Sequence, residues 1–230
     1  MTHVLVTGAN RGLGLEFTRQ LLARGERVIA TCRQPGRALE LTRLAGAHPG
    51  HLAVLPLVLP EARSIAELAR EVEALGLRIG LLINNAGLSV SGERFGSIEL
   101  DGLRTAFSAN AAGPFLLSQA LASSLVAGAK VVNLSSGLGS IAGTDEFYTP
   151  SYAISKAALN MASKLLSIAL VEHAAIVVAM SPGWVRTEMG GANAPQAPQD
   201  SVASMLGVID RLIAADNGRF LDQHGADIAW

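Results

Sequence analysis

The chain has 230 residues, of which 50% are apolar and only 16% charged, and its formal net charge is −1. This near-neutral balance argues against a nucleic-acid-binding or anionic-membrane surface. Mean hydropathy is +0.36, but the apolar residues come in short runs such as 174–180, so we expect buried parallel strands rather than a membrane span.

In chain order, short β-branched runs alternate with longer amphipathic segments. Strands are predicted at 3–7, 27–31, 52–57, 79–84, 129–134, 175–180 and near 219–222. Helices are predicted at about 13–24, 37–45, 63–75, 99–126, 152–171 and 199–214. The alternation predicts one α/β domain over 1–230: a doubly wound Rossmann fold with a mostly or fully parallel sheet of about seven strands and helices on both faces. The stretch 190–200 is predicted to be a mobile loop.

A glycine-rich turn, TGANRGLG at 7–14, joins the first predicted strand to the first helix. Gly8, Gly12 and Gly14 allow a tight turn in which backbone amides approach a pyrophosphate, and the helix N-terminus adds further N–H donors. The spacing G-x-x-x-G-x-G differs from the general G-x-G-x-x-G fingerprint. Because a strand precedes it and a helix follows, we interpret this turn as a dinucleotide-binding loop.

The end of the second strand indicates which dinucleotide binds. NAD sites of this kind place an acidic residue there to hold the ribose diol. This chain reads ATCRQP, with Arg33 and no carboxylate, and Arg11 of the glycine loop can approach the same place. Because arginine binds phosphate bidentately, the sequence favours NADP(H) over NAD(H).

An ordered set of motifs lies at the ends of successive predicted elements. The motifs are TGANRGLG (7–14), NNAG (84–87), Asn110, NLSS (133–136), YAISK (152–156) and SPGWVRTEM (181–189). In this order they resemble the short-chain dehydrogenase/reductase family, and the likeness covers the whole chain. Within that family, VIATCR and the segment 218–230 are most similar to the C-factor and sniffer-type carbonyl reductases.

The resemblance implies an NADP(H)-dependent oxidoreductase with four catalytic residues. Tyr152 would be the general acid that protonates a carbonyl oxygen, or the base in reverse. Lys156, one helical turn on, would hold the nicotinamide ribose and lower the phenol pKa by its charge. Ser136 would hydrogen-bond the substrate carbonyl, and Asn110 would hold a relay water at a local irregularity in the 99–126 helix. The cofactor would supply the hydride.

The predicted cofactor-binding positions combine the glycine loop, the arginines and family positions at later strand ends. Thr187 among them would reach the nicotinamide amide or the phosphates. The full set is Gly8, Asn10, Arg11, Gly12, Leu13, Gly14, Arg33, Leu59, Asn85, Ala86, Gly87, Tyr152, Lys156, Pro182, Gly183, Val185 and Thr187.

Neighbouring residues compete for two of these roles. Side chains alternate along a strand, so only one of Ser135 and Ser136 faces the site, and the family usually uses the second. Pro150 favours a helix that begins beside it, which leaves Tyr148 on the preceding loop and places Tyr152 inside the helix. We therefore predict that Tyr152 is the acid and Tyr148 a pocket wall.

The chain departs from the family pattern in two places. The segment 137–151 is a few residues longer than is common, which predicts a remodelled pocket wall at 143–150. Val58 stands where an Asp usually contacts the adenine amino group. The Leu59 amide remains able to donate, so we expect weaker adenine discrimination rather than loss of binding.

The sequence also bears on two other function classes, a hydrolase and a cofactor-binding sensor. The string GLSVSG (87–92) lacks the spacing of a hydrolase nucleophile turn. A cofactor-binding sensor or signalling protein of the same fold remains the alternative, although such a protein would be expected to lose part of the catalytic group. The segments 88–95, 137–149 and 184–200 are apolar with few charges, which predicts a small carbonyl or alcohol substrate.

Partners and location are predicted from analogy and composition. Family analogy pairs the predicted helices 99–126 and 152–171 between subunits, giving a homodimer or a homotetramer. Cys32 is the only cysteine, and the first residues lack a signal-peptide layout, so we expect a cytoplasmic protein that contacts neither membrane nor nucleic acid. The histidines show no ligand spacing, so no metal is expected; they are His3, His48, His51, His173 and His224.

Overall fold

The computed structural model describes residues 2–230 and contains a seven-stranded parallel sheet. The strands are β1 (His3–Thr7), β2 (Val28–Cys32), β3 (Leu52–Pro56), β4 (Ile79–Asn84), β5 (Leu125–Leu134), β6 (Ile176–Met180) and β7 (Phe220–Leu221). Their spatial order is β3-β2-β1-β4-β5-β6-β7. This arrangement confirms the predicted doubly wound sheet.

Seven α-helices cover the two faces of the sheet. They are α1 (Gly12–Ala23), α2 (Leu39–Ala47), α3 (Ala62–Ala74), α4 (Leu100–Phe107), α5 (Gly113–Ala120), α6 (Pro150–Ala169) and α7 (Pro198–Arg211). One apolar core lies between the sheet and α1, α2 and α7, and a second lies between the sheet and α3, α5 and α6. Since both faces are covered, strands β2 and β6 are buried at every residue, as their continuous apolar sequences predict.

The order of the strands fixes where a ligand can bind. Strand β1 lies between β2 and β4. The chain runs from β1 outward to β2 and β3, and then crosses back to β4 on the other side of β1. Loops after the strands diverge at such a point and leave a crevice at the carboxyl ends. The glycine-rich turn follows β1, the NNAG segment follows β4, and the serine and proline motifs follow β5 and β6. These four predicted motifs therefore reach one edge of the sheet.

The predicted helix 99–126 is wrong as a single element. It divides into α4, a π-helical turn over Ser108–Ala112 and α5, and strand β5 already begins at Leu125. Pro114 explains the break, because it has no N–H to donate to the Asn110 carbonyl and its ring crowds that carbonyl. The local irregularity expected at Asn110 is therefore present.

The segment predicted as a mobile loop at 190–200 is more ordered than expected. Its last residues form the start of α7, and a β-bridge joins Val185 to Gln196. Arg186 closes the segment further by donating to the carbonyl of Ala194 at 2.9 Å. In the described part of the chain, no helix is long and apolar enough to cross a bilayer. The same residues 2–230 contain no cluster of three potential metal-ligating side chains.

Candidate active site

The glycine-rich turn after β1 has the geometry of a phosphate loop. Gly8 and Gly12 have φ angles of +64° and +54°, which side chains other than glycine rarely adopt. Gly14, in the first turn of α1, lies so close to the glycine-rich turn that a Cβ on it would overlap the Gly8 carbonyl. A strand, a left-handed turn and a helix N-terminus thus leave a concave row of backbone donors.

Asn85 buttresses this turn from the neighbouring strand. Its side-chain Nδ2 donates to the Thr7 carbonyl at 2.8 Å, and its backbone N–H donates to Thr7 Oγ1 at 3.0 Å. The backbone N–H of Ala86 donates to the same oxygen at 3.0 Å. The Asn85 amide therefore holds the residues after β4 against the end of β1.

A cavity of about 290 Å³ adjoins the glycine-rich turn beyond the end of β2. It is lined by Asn10, Arg33, Gln34, Arg37 and Ala38. Arg33 and Arg37 are exposed, and neither forms a salt bridge within residues 2–230. Two free guanidinium groups and an amide form a set of hydrogen-bond donors that suits a phosphate monoester. Among the described residues, no acidic side chain lines the cavity to repel the phosphate charge.

The arginine prediction is corrected in one respect. Arg11 does not line this cavity; its guanidinium pairs instead with the Glu188 carboxylate. Arg37 takes the place expected for it, because the short 3₁₀ turn Pro35–Arg37 folds the chain back toward Asn10. The turn-forming pair Pro35-Gly36 is the sequence signal that could identify Arg37.

The segment after β6 closes the other side of the crevice. Gly183 has a φ of +78°, and the Pro182 carbonyl accepts a hydrogen bond from Ser201 at 2.7 Å. Val185 is buried beneath the segment. Thr187 lies over the glycine-rich turn, with its Cγ2 3.8 Å from the position of a Cβ on Gly12. These contacts bring the later cofactor positions to the glycine loop.

Val58 and Leu59, which follow β3, are the remaining positions predicted to lie near the adenine of the cofactor. The backbone N–H of Val58 donates to Ser64 Oγ at 2.9 Å, so it is already engaged. The Leu59 side chain packs within 3.1 Å of the Cβ position of Gly113 at the start of α5. Binding of adenine by the Leu59 amide stays a prediction.

Tyr152 lies in the first turn of α6, which begins at Pro150 as predicted. Its phenol lies near the side chain of Ser136, the residue that follows β5 by two positions. The Nζ atom of Lys156 lies 5.5 Å from the centre of the Tyr152 ring and donates to the Leu134 carbonyl at 2.6 Å. The structure therefore brings these three predicted residues together.

The neighbouring serine faces the other way. Ser135 is buried, and its Oγ donates to Asn160 Oδ1 at 2.6 Å inside the protein. Gly139 explains how closely the serine loop approaches α6, since a Cβ on Gly139 would lie 2.8 Å from the Lys156 carbonyl carbon. This positioning role of Gly139 was missed, because nothing in the local sequence separates it from an ordinary loop glycine.

Burial determines the direction of the pKa shifts of Tyr152 and Lys156. The Tyr152 pKa is raised above its ordinary value by burial, and the nearby Ser136 side chain offsets part of that rise. Burial lowers the Lys156 pKa from 10.5 to about 8. The expectation that lysine would lower the phenol pKa is thus not met, because desolvation is the largest influence on the pKa of both groups.

Asn110 sits at the π-helical turn and is fully buried. Its Oδ1 accepts from the Leu88 N–H and its Nδ2 donates to the Leu88 carbonyl, both at 2.8 Å. The same Nδ2 donates to Ser155 Oγ at 2.9 Å. Because the amide holds Leu88 against α6, a relay water would be left to the Asn110 backbone carbonyl, which Pro114 leaves without its usual donor.

Aromatic side chains form the outer wall of the predicted substrate side. Phe95 and Phe147 meet edge to face with ring centres 5.6 Å apart. Tyr148 is exposed on the loop before α6, and Thr149 beside it has a left-handed φ of +40°. Trp184 is exposed and anchored by a hydrogen bond from its Nε1 to the Gly190 carbonyl at 2.8 Å. Tyr148 is therefore outside the helix, as predicted.

Comparison with known proteins gives consistent matches to one family. A sequence model described as short chain dehydrogenase matches residues 2–198. The C-signal of Myxococcus xanthus is 38% identical over 154 residues, covering 66% of this chain and 93% of the relative.

Solved structures match over the whole chain. The NADPH-bound carbonyl reductase from chicken fatty liver is 37% identical, with a TM-score of 0.91 over 100% of this chain and 99% of that one. The carbonyl reductase Sniffer of D. melanogaster is 32% identical, with a TM-score of 0.90 over 100% of both chains.

Proposed function

Because the chain belongs to the short-chain dehydrogenase family, we propose that it is an NADP(H)-dependent oxidoreductase that interconverts a small carbonyl compound and its alcohol. One observation carries the proposal. The Tyr152 phenol lies near the Ser136 side chain and beside the buried Lys156, at the sheet edge where the phosphate loop opens. A proton donor, a carbonyl-binding hydroxyl and a cation thus converge at one point.

The residues of this chain handle the proton. In reduction, Ser136 orients the carbonyl oxygen and Tyr152 gives that oxygen its phenolic proton, leaving an alcohol. Lys156 stabilises the phenolate that remains, and solvent then restores the proton. NADP(H), when bound, supplies the hydride that the carbonyl carbon gains. In oxidation the phenolate takes the proton from the alcohol.

The cavity beyond β2 supports NADP(H) as the cofactor. Asn10, Arg33 and Arg37 form its polar wall, and no carboxylate lines it. The glycine geometry fits a pyrophosphate, since Gly14 leaves no room for a side chain between the turn and Asn85. The chicken carbonyl reductase with this fold has NADPH bound.

Replacing Arg37 or Arg33 with Ala should weaken NADPH binding by roughly 10- to 100-fold, since each change removes a charge-assisted contact to the 2′-phosphate. NADH lacks that phosphate, so its affinity should change little. Titration of cofactor fluorescence measures both constants. Arg43→Ala in α2 is the matched control, because Arg43 is exposed and pairs with Glu40 at 3.2 Å. An equal loss for NADH and NADPH would refute the assignment.

The apolar outer wall supports an aldehyde, ketone or quinone as the substrate class. A panel of these compounds, with NADPH oxidation followed by absorbance, tests the proposed activity directly. The signalling alternative is favoured by the name of one relative, C-signal. It predicts a different result: NADPH binds, and no compound in the panel is reduced.

We also propose that two copies pair through α5 and α6. An apolar cavity of about 400 Å³ lies between these helices, lined by Phe107, Ala111, Ala112, Phe115, Leu116, Ala158, Met161, Ala162 and Leu165. Exposed apolar surface of this kind marks contact sites. Met161→Glu should therefore convert the oligomer to monomer in sedimentation velocity. Ile213→Glu is the matched control, since Met161 is 61% exposed and Ile213 62%. A wild-type monomer would refute the proposal.

A further inference from the structure

The helix that carries Tyr152 lacks an ordinary cap of its own. Thr149 occupies the N-cap position with a left-handed φ of +40°, and its side chain makes no capping hydrogen bond. Its buried Oγ1 has no hydrogen-bond partner among residues 2–230. The first turn of α6 also contains no acidic residue. Helix N-termini normally need an acceptor and favour negative charge.

Glu93, on a loop distant in sequence, supplies both the hydrogen-bond acceptor and the negative charge to the N-terminus of α6. Its Oε2 accepts from the Ser151 backbone N–H at 3.1 Å, and its Oε1 accepts from Ser151 Oγ. Ser151 is only 1% exposed, so these bonds are shielded from water. Glu93 forms no salt bridge within the described chain, which leaves its carboxylate committed to the start of α6.

The contact joins the catalytic turn to the substrate side. Ser151 directly precedes Tyr152, while Glu93 belongs to the loop between β4 and α4. Two residues on, Phe95 packs edge to face against Phe147 of the loop that enters α6. Both contacts therefore tie the same two segments together.

The start of α4 closes this junction. A Cβ on Gly102 would lie 3.6 Å from both Glu93 Oε1 and Ser151 Oγ. Three chain segments thus meet around one carboxylate. A polar group at such a junction fixes the relative positions of the three segments, because removing it leaves buried hydrogen-bond donors without an acceptor.

We propose that Glu93 is a positioning residue for catalysis: its carboxylate caps α6 across the chain and so fixes the turn that holds the Tyr152 phenol. Tyr152 is in that first turn, and an uncapped turn frays. A displacement of about 1 Å at a reacting group lowers turnover by up to about 100-fold. The inference rests on the proposed reductase activity.

The test compares Glu93→Ala and Glu93→Gln with the wild type. Glu93→Ala should lower kcat roughly tenfold and leave the Kd for NADPH unchanged, because the cofactor contacts lie elsewhere. Glu93→Gln keeps one acceptor oxygen and should restore most of kcat. Amide hydrogen exchange at 151–154 should quicken in the Ala variant. Glu99→Ala is the matched control, since Glu99 is the N-cap of α4 with no side-chain capping bond.

The outcomes separate this inference from the proposed function. A wild-type protein that reduces no carbonyl compound overturns the reductase proposal, and Glu93 then has no reaction to serve. If the wild type is active and Glu93→Ala has the same kcat, the positioning role alone is overturned. Equal losses of kcat in the Ala and Gln variants overturn the capping mechanism, as does unchanged exchange at 151–154.

Discussion

Tyr152→Phe is expected to lower kcat by about 10²- to 10⁴-fold, the range found for removal of a general acid. The change deletes one oxygen and leaves the ring in place beside Lys156, so the fold should be kept. NADPH titration should give a Kd close to that of the wild type. Steady-state rates on the best compound of the carbonyl panel provide the measurement.

Tyr148→Phe is the control for that change, because it removes the same hydroxyl from a residue four positions away. Tyr148 is 62% exposed and lies outside α6, so its phenol has no fixed relation to Lys156. We expect kcat to change little and the preference among substrates to shift. If Tyr148→Phe were inactive and Tyr152→Phe active, the assignment of the acid would be reversed.

Most of the sheet could be predicted because its strands are buried on both faces. Runs such as 175–180 have apolar residues at every position, a pattern typical of strands in a parallel sheet that helices cover on both faces. The segment 99–126 was misjudged for a related reason. Its last residues, 125–126, are apolar and adjoin a helical pattern, and a short apolar run does not distinguish strand from helix. Pro114 was the available signal for the break.

The parts of the site that the sequence predicted are those fixed by local chain geometry. Pro150 determines where α6 begins, and that start separates Tyr152 from Tyr148. The parts it did not predict depend on distant segments. Arg11 pairs with Glu188 only because the chain after β6 folds over the glycine-rich turn, and Glu93 reaches α6 only through the folded loop before α4.

The electrostatic prediction failed for a physical reason that sequence spacing does not contain. Lys156 was expected to act through its charge, which its position one turn from Tyr152 allows. The fold instead buries the lysine to 4% exposure, and a buried ammonium loses hydration. Its pKa therefore falls to about 8. The lysine assigned to the proposed reaction is therefore expected to destabilise the folded protein at pH 7.

Lys156→Met should abolish turnover and stabilise the ligand-free protein at pH 7. The folded pKa of about 8 lies below the unfolded value of 10.5. A shift of this size corresponds to about 3 kcal/mol against the charged lysine at pH 7. Methionine removes that penalty but leaves the Leu134 carbonyl without its donor, which costs about 1–3 kcal/mol. We expect a net gain of about 1 kcal/mol in the free energy of unfolding, the difference between these two estimates.

The pH dependence distinguishes this effect from better packing. Between pH 8 and 10.5 the unfolded lysine binds more proton than the folded one, so wild-type stability should rise through that window. The Met variant lacks this contribution, so its advantage should vanish above pH 8 and reverse as the pH approaches 10.5, where only the lost hydrogen bond to Leu134 remains. Urea unfolding across the window measures the difference, and Lys164→Met, at an exposed lysine on α6, is the control. A stability difference that did not vary with pH would show that burial of the charge is not its cause.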